Sequence, residues 1–363
     1  MTTLSDWLGI GSSASSHLGW HSIPSPANPR LHVPTDPSLW PSSLGLLNTP
    51  VKRIQARLLL GGMRLMRRRP DLAGCRHCPL DSWLGEIFPN ESDFNFAAYI
   101  GTQSVFVKDT IQCMDSRGRI LAFLKVPRGS AAAGMVRHEA GILYELSRRF
   151  PDQDFYPKLL GQRDGQFLQA PPTRQGPDDP GFILERLASA WSESIRWAES
   201  PVRKKILESL PRIRDAAAPH WADSLESAVA RLDRQLGNSA IAHPLSHGDF
   251  IRWNLLPGPF AFDWEWAAPR LPWHDAFHYL WMPLFSKPKP PAFGELWQIW
   301  QGPAGTKLRS KPPESDSLSF ALSYLASQFA FYAHSRSMDV NDISSNVLLR
   351  KIDSTLAESL KSL

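Results

Sequence analysis

Two short motifs carry residue types that could perform phosphoryl transfer. The first motif is His-Gly-Asp at residues 247–249, which is followed by Asn254. The second motif begins with Asp263, at the end of the next apolar run. The reaction needs one carboxylate to orient an incoming hydroxyl and accept its proton, and further oxygen ligands to hold Mg²⁺ against nucleotide phosphates. Asp249 can serve as the carboxylate, and Asn254 and Asp263 can share the metal.

A predicted hairpin links the two motifs. Residues 253–256 and 260–262 are apolar, and Pro257-Gly258-Pro259 between them favours a turn. The hairpin would return the chain to the loop, so we expect Asp263 to face the same cavity as Asp249 and Asn254.

The combined pattern resembles the catalytic region of the aminoglycoside phosphotransferase and choline kinase families, relatives of the protein kinases. That pattern is His-Gly-Asp, four residues, Asn, then Asp-Trp-Glu, and it is met here by His247, Gly248, Asp249, Asn254, Asp263, Trp264 and Glu265. By itself, His-Gly-Asp also occurs in ordinary loops, and Asp-Trp-Glu could be an exposed turn. The spacing over two linked motifs favours the resemblance, which covers about residues 94–285.

The resemblance implies roles for individual residues. Asp249, His247 and Asn254 would be catalytic, with Asp249 as base and His247 bracing the loop by hydrogen bonds. Asn254 and Asp263 would hold Mg²⁺, and ATP would supply the phosphoryl group. Asp275 would buttress the loop, although a carboxylate at a helix start is also typical of an N-terminal cap.

The elements before the motif predict a sheet. Alternation and turn residues indicate strands at residues 94–100, 105–114 and 120–126, a helix at 135–150, and a hairpin of 158–162 with 166–170. By resemblance, Lys125 at the end of the third strand would contact nucleotide phosphates and pair with Glu139 of the helix. A lysine at a strand end can equally be a solvated charge.

The resemblance also assigns the remaining nucleotide contacts. The turn that contains Gly101, Thr102 and Ser104 would cover the phosphates. Exposed backbone from Gln169 to Pro172 would form the hinge that contacts adenine, with residues 183–186 as the alternative. The stretch from Pro171 to Gly181 reads as a linker on either interpretation.

We therefore predict an α+β, bilobal, protein-kinase-like fold with an N-terminal extension. The predicted domains are a loop-rich and helical extension at 1–93, a sheet-built N-lobe at 94–170 and a helical C-lobe at 171–363. In the C-lobe, helical periodicity ends at Gly237, and further helices are expected at 273–285, 318–335 and 347–360.

Pro, Ser and Gly are frequent in the first 45 residues, and the prolines are closely spaced, so no helix or central strand is expected there. Trp7, Trp20 and Trp40 nevertheless predict that this segment packs on a lobe. Residues 50–69 form a basic amphipathic pattern with Ile54, Leu58, Leu59 and Met63 on one predicted face. Such a helix could contact an anionic membrane surface or a partner, or pack on its own domain with a solvated basic face; the last is favoured.

Composition limits the function classes. A net charge of +5 over 363 residues does not indicate nucleic acid. Three cysteines suggest a reducing compartment rather than a disulfide framework. Cys75 and Cys78, with His77 between them, could begin a zinc site, but a structural zinc normally has four ligands. The chain shows no signal peptide or membrane-spanning run, so we expect a cytoplasmic protein, and the sequence does not fix its oligomeric state.

The acceptor should be a small hydroxylated molecule, because little chain separates Asp263 from the next helix. Aromatic and basic residues follow the hairpin and favour a neutral or anionic sugar or glycoconjugate over a polycation: Trp264, Trp266, Trp273, Trp281, Trp297, Trp300, Lys287, Lys289, Lys307, Arg309 and Lys311. Arg252 either touches phosphate or substrate or is solvated. The alternative to an enzyme is a kinase-like scaffold or binding protein in a biosynthetic assembly.

Overall fold

The structure is a computed structural model, and it describes residues 3–10, 17–47, 49–75, 78–102, 104–172, 179–215, 219–309, 316–333 and 346–362. The chain divides into two compact units, Met1–Thr173 and Arg174–Leu363. The predicted α+β class is confirmed, because the first unit is built on a large sheet and the second is mainly helical. Most of the predicted linker, residues 173–178, lies outside the described residues.

Eight strands of the first unit form one antiparallel sheet in the order β3-β1-β2-β4-β5-β6-β8-β7. The strands and the helix predicted between residues 94 and 170 are all present, with the helix beginning earlier than predicted. In chain order the elements of this unit are α1 (Leu4–Leu8), β1 (His17–Ser25), β2 (Asn28–Pro34), α2 (Trp40–Ser43), α3 (Pro50–Leu65), β3 (Leu72–Cys75), α4 (Pro79–Ile87), β4 (Asn95–Tyr99), β5 (Lys108–Met114), β6 (Ile120–Pro127), α5 (Ser130–Arg149), β7 (Leu159–Arg163) and β8 (Gln166–Gln169).

The expectation that the first 45 residues form no helix or central strand is wrong. They contain α1 and α2, and β1 and β2 lie inside the sheet, where β2 pairs with β4 through Leu31 and Tyr99. The sheet tolerates the prolines because Pro24 lies at a register shift and Pro34 ends its strand. The predicted packing of the tryptophans is confirmed for Trp20, whose buried indole Nε1 donates to the carbonyl of Phe96 at 2.7 Å.

The cysteines of the first unit belong to its core. Cys78 and Cys113 are buried free thiols in the cluster that contains Trp20 and Trp83. Burial raises the pKa of the Cys78 thiol to about 12, which disfavours the thiolate that a zinc ion requires. The side chain of Cys75 and the whole of His77 lie outside the described residues.

The predicted helix at residues 50–69 is present as α3, but it packs through a different face. Ala56, Leu60 and Met63 are buried against β1 and β2, whereas Ile54 and Leu58 are exposed. The favoured prediction, a helix packed on its own domain, is confirmed in part, because a second apolar face remains exposed. Among the described residues, no helix is long and apolar enough to cross a membrane.

A large hydrophobic core of the second unit is formed by its long helices. Two short sheets accompany them, β13-β10-β9 and the hairpin β11-β12. The predicted helices are present, and Gly237 follows α8 with a φ of 51°. In chain order the elements are α6 (Pro180–Ala190), β9 (Ser192–Arg196), α7 (Pro201–Asp215), α8 (Pro219–Leu236), β10 (Ala240–Ser246), β11 (Leu255–Leu256), β12 (Phe260–Ala261), β13 (Ala268–Pro269), α9 (His274–Phe285), α10 (Phe293–Gln301), α11 (Pro303–Leu308), α12 (Ser317–Phe331) and α13 (Val347–Ser362).

Candidate functional site

The candidate catalytic segment runs from the end of β10 to β13 in the second unit. The predicted hairpin is confirmed, because β11 and β12 pair with Leu255 opposite Ala261. The amide of Phe262 donates to the carbonyl of Asn254 at 3.1 Å, which continues the pairing up to the residue before Asp263. The local fold therefore places Asp263 beside the loop that carries Asn254.

Asp275 fixes the start of this loop. Its carboxylate accepts hydrogen bonds from the Ser246 hydroxyl at 2.6 Å and from the amides of His247 at 2.6 Å and Gly248 at 3.0 Å. The side chain is only 4% exposed. Asp275 lies in the first turn of α9, but its carboxylate binds the loop rather than capping the helix, as the family resemblance implied.

His247 braces the loop from a fully buried position. Its Nε2 donates to the carbonyl of Phe262 at 3.0 Å, and its Nδ1 accepts from the amide of Asp249 at 3.3 Å. A carbonyl can only accept and an amide N–H can only donate, so the two bonds fix one neutral tautomer. Burial lowers the pKa of His247, which also favours the neutral ring. With both nitrogens engaged, the ring is suited to bracing rather than to base catalysis.

Only glycine fits between His247 and Asp249. Gly248 has a φ of 83°, and a Cβ built on it would lie 2.3 Å from the carbonyl oxygen of Trp266. Both the left-handed conformation and the close backbone approach exclude a side chain. Gly248 therefore lets the loop turn Asp249 away from the core.

Asp249 and Asn254 are in direct contact. The Nδ2 of Asn254 donates to the carboxylate Oδ2 of Asp249 at 3.0 Å and to its backbone carbonyl at 2.9 Å. The Asp249 side chain keeps 23% of its surface exposed, whereas Asn254 is buried. The aspartate is thus held in place while one part of it still reaches solvent.

His278 is a contact of Asp249 that the sequence analysis missed. Its Nε2 lies 3.3 Å from Oδ1 of Asp249, and its Nδ1 lies 3.3 Å from the hydroxyl of Tyr324. Both His278 and Tyr324 are buried. The signal was available, because His278 follows Asp275 by three positions on one helix and therefore shares its face.

Asp263 has an unusual backbone conformation. Its φ of 65° and ψ of 61° are left-handed, and it directly precedes the turn that contains Trp264. Aspartate tolerates this region better than most residues, and such outliers are typical of functional sites. The conformation turns the chain sharply at the end of the hairpin.

The donor set of this segment fits a hard cation. The Nδ2 of Asn254 is engaged by Asp249, so its amide oxygen is the side-chain atom left for a metal, and Asp263 offers a carboxylate. Mg²⁺ prefers such oxygen ligands and usually completes its shell with water and substrate phosphates. Asn254 and Asp263 thus carry ligand types that suit Mg²⁺. No group of three or more His, Cys, Asp or Glu side chains that could hold a metal occurs in the described part of the chain.

In the first unit, Glu139 lies between two lysines. The carboxylate of this fully buried residue is 4.0 Å from Lys125 Nζ and 3.3 Å from Lys108 Nζ. Lys125 is the partner implied by the family resemblance, and Lys108 was missed. In the β5–β6 register Lys125 lies opposite Thr110, and Lys108 shares the face of Thr110 by the two-residue period of a strand.

A buried carboxylate supports the turn predicted to cover phosphates. The amide of Gly101 donates to Oδ1 of Asp109 at 3.1 Å, and Arg128 Nε donates to Oδ2 at 2.7 Å. Burial raises the pKa of Asp109, which the Arg128 guanidinium opposes. The base of the turn is therefore tied to the end of β6.

The tip of that turn contacts the N-terminal hairpin. Arg30 Nη2 donates to the Thr102 hydroxyl at 2.7 Å, and the carbonyl of Ser104 accepts from the amide of Val107. Gln103 lies outside the described residues. This turn is thus held by Arg30 of β2 and by Asp109 of β5.

Gln169 does not have the exposed backbone that was expected of a hinge. It is buried at the end of β8, opposite Phe123 of β6 and Leu159 of β7, so neighbouring strands flank it on both sides. The alternative hinge, residues 183–186, lies inside α6. The adenine contact stays a prediction for the residues that follow Gln169.

Three of the six tryptophans that were expected to favour a sugar acceptor are not accessible to one. Trp281 and Trp300 are completely buried in the helical core of the second unit, and Trp264 is completely buried with its ring centre 4.6 Å from that of His247. Trp253 was not among the residues expected to contact the acceptor. It is 59% exposed and lies one position before Asn254. The other expected acceptor contacts are partly or fully exposed: Trp266, Trp273, Trp297, Lys287, Lys289, Lys307 and Arg309; Lys311 lies outside the described residues. Arg252 is exposed, with its guanidinium 5.8 Å from the Tyr279 ring centre.

The predicted site residues thus fall into two groups. Lys125, Glu139 and the Gly101 turn belong to the first unit, whereas Asp249, Asn254 and Asp263 belong to the second. Each group is assembled within its own unit. The convergence of both groups on one nucleotide stays a prediction.

No protein-family model and no curated protein matches this chain. Among solved structures, it is similar to the ADP-bound aminoglycoside phosphotransferase APH(2'')-Ib, with 13% identity, a TM-score of 0.47, and coverage of 76% of this chain and 98% of the other. It is also similar to choline kinase from Cryptosporidium parvum Iowa II, with 10% identity, a TM-score of 0.49, and coverage of 76% and 91%. Macrolide 2'-phosphotransferase type I gives 13% identity, a TM-score of 0.47, and coverage of 76% and 96%. These phosphotransferases and kinases include the two families that the sequence motif resembles.

Proposed function

We propose that the protein is an ATP-dependent phosphotransferase that moves the γ-phosphate to a hydroxyl group of a small molecule. The observation that carries this proposal is the Asp249–Asn254 pair. The pair lies on a loop whose backbone is hydrogen-bonded by the buried side chains of Asp275 and His247. The buried carboxylate of Asp275 fixes the backbone of this loop, and the carboxylate of Asp249 stays partly exposed. This combination is expected of a loop that binds and activates a substrate.

Asp249 orients the acceptor hydroxyl and receives its proton as the oxygen attacks phosphorus. Asn254 keeps the carboxylate in place through Nδ2, and His247 fixes the backbone of Asp249. Asn254 and Asp263 would hold Mg²⁺, which when bound neutralises charge on the transferred phosphoryl group. Lys125, held by Glu139, would contact the nucleotide phosphates.

We propose a neutral or anionic hydroxylated acceptor, such as a sugar or glycoconjugate. The exposed indole of Trp253 next to Asn254 offers a surface for a sugar ring, and the exposed Lys287 and Lys289 disfavour a polycation. The buried free thiols Cys78 and Cys113 support a reducing compartment, and we place the reaction in the cytoplasm.

The test is an assay of ADP release with a panel of neutral, anionic and cationic acceptors. Asp249→Ala should lower kcat by about 10³-fold, the scale of a missing general base, while the unfolding transition stays close to that of the native protein. Asp223→Asn, an exposed carboxylate on α8, is the matched control and should keep full activity.

Full turnover by Asp249→Ala would refute the assignment of Asp249 as base. No ADP release by the native protein with any acceptor of the panel would favour the scaffold alternative. Selective turnover of a polycationic acceptor would refute the acceptor class while leaving the phosphotransferase intact.

A further inference from the structure

Helix α3 has two apolar faces, and only one of them is used by the fold. Ala56, Leu60 and Met63 are buried in the core of the first unit. Among the described residues, ten large hydrophobic side chains are exposed, and six of these lie on α3 or at its C-terminal cap: Val51, Ile54, Leu58, Leu59, Leu65 and Met66. Exposed apolar surface is therefore concentrated on one element.

Four of these six side chains form a stripe. At about 100° per residue, Val51, Ile54, Leu58 and Leu65 fall on one side of the helix, opposite the buried face. Leu58 is 74% exposed and Leu65 is 87% exposed. A Cβ added to Gly61 or Gly62 would meet no atom within 4 Å, so the space beside the stripe is open.

Positive charge flanks this stripe, and negative charge is absent from the segment. Residues 50–69 contain no Asp or Glu, but they contain seven basic residues: Lys52, Arg53, Arg57, Arg64, Arg67, Arg68 and Arg69. Arg53, Arg57 and Arg64 lie between the exposed stripe and the buried face, and the other three arginines follow the helix. All seven residues are exposed.

We propose that this face, which we call the basic-apolar face (residues 51–69), docks the protein on an anionic lipid bilayer. The stripe would enter the headgroup region, and the flanking arginines would contact lipid phosphates and carboxylates. Apolar burial and attraction to anionic lipid act together in such helices, and neither alone gives stable binding. The helix is already held in its amphipathic form by the core, so binding requires no folding.

The test is co-sedimentation of the full chain with vesicles of two compositions, phosphatidylcholine alone and an equimolar mixture with phosphatidylserine. The native protein should bind only the mixed vesicles, and added salt should weaken binding. Ile54→Ser with Leu58→Ser should weaken binding by at least about tenfold, because two apolar side chains no longer enter the lipid. Arg57→Gln with Arg64→Gln should weaken it by about fivefold for each arginine.

The matched control is Arg137→Gln with Tyr144→Ser, one exposed basic and one exposed aromatic residue on α5 of the same unit. It should bind as the native protein does. All four altered positions of α3 are exposed, so thermal unfolding should be unchanged and a loss of binding would not reflect misfolding.

Three results would overturn the proposal. One is that the native protein binds both vesicle types equally well, or binds neither of them. Another is a dimer that Ile54→Ser with Leu58→Ser dissociates, because a second copy would then cover the face. The last is binding to polyglutamate but not to vesicles, which would assign the face to an acidic protein.

Discussion

The two groups of candidate site residues are held in different ways. In the second unit, the carboxylate of Asp275 accepts three hydrogen bonds from consecutive residues of one loop. In the first unit, the carboxylate of Glu139 lies between Lys108 and Lys125 of two strands. Asp275 fixes a backbone, whereas Glu139 balances charge on side chains. The first arrangement has no substitute partner, while the second leaves one lysine when the other is removed.

The largest expected effect comes from Asp275→Ala. The change leaves two buried amides and a buried hydroxyl without their acceptor, at about 1–3 kcal/mol for each unsatisfied group. We expect the free energy of unfolding to fall by about 4 kcal/mol and phosphotransfer to be lost, as measured by urea unfolding and ADP release. Asp275→Asn keeps one acceptor oxygen and should be less damaging. Equal stability of Asp275→Ala and the native protein would show that the loop does not depend on this clamp.

Glu139→Gln should be the next most damaging change. It leaves Lys108 and Lys125 without their shared carboxylate, and breaking a buried ion pair costs about 3 kcal/mol. Lys125→Met should cost less stability, because Glu139 keeps Lys108, yet it should weaken nucleotide binding more. Urea unfolding and nucleotide titration measure the two quantities. If Lys125→Met destabilises the protein as much as Glu139→Gln does, Lys108 is not a substitute partner.

Acid should weaken both units, because each buries neutral histidine. Burial lowers the pKa of His32 in the first unit to about 4, and it lowers the pKa of His247 and His274 in the second. Unfolded histidine has a pKa of about 6.5, so below that pH the unfolded chain takes up protons that the folded chain does not. The free energy of unfolding therefore falls as pH drops from about 6.5 towards each folded pKa.

For His32 this loss is about 2 kcal/mol between pH 7 and pH 5. Urea unfolding at the two pH values, in the native protein and in His32→Asn, measures it. The exposed His220 provides the control variant, His220→Gln, which should keep the full pH dependence. A native protein that is equally stable at both pH values would contradict this prediction.

Local patterns in the sequence predicted much of what these experiments address. The hairpin after Asn254 followed from two apolar runs around Pro257-Gly258-Pro259, and the helix that carries Glu139 followed from helical periodicity after a strand, whereas the pairing of Glu139 with Lys125 was implied by the family resemblance. Such signals lie within a few residues of each other. Periodicity and turn chemistry are therefore enough to predict them.

Pairings between distant residues could not be predicted in this way. The contact of Leu31 with Tyr99, which brings the N-terminal hairpin into the sheet, depends on tertiary packing that outweighs the proline content. The face through which α3 packs was also not predicted correctly, because apolar residues occur around most of that helix and only the tertiary structure decides which of them are buried. Lys108 became visible only once the strand register was known, whereas His278 could have been found from its spacing of three residues to Asp275 in a predicted helix.

Substitution of His278 has the smallest expected effect, and it specifically tests whether the second unit also orients the carboxylate of its loop. The Nε2 of His278 donates to the Asp249 carboxylate, and its Nδ1 accepts from the Tyr324 hydroxyl. This buried side chain therefore positions the proposed base without reaching solvent. His278→Phe removes the donor while keeping the ring volume, and we expect kcat to fall about tenfold, or about 1.4 kcal/mol, with the nucleotide KM unchanged. His278→Gln can still donate through its amide and should recover part of kcat.

A merely structural role for His278 would give a different result. Both variants would then lose stability and raise KM together, and glutamine would recover nothing. Recovery of kcat by His278→Gln would show that the second unit fixes not only the backbone of the loop but also the orientation of its carboxylate. In the first unit, by contrast, the carboxylate of Glu139 is fully buried and contacts lysines.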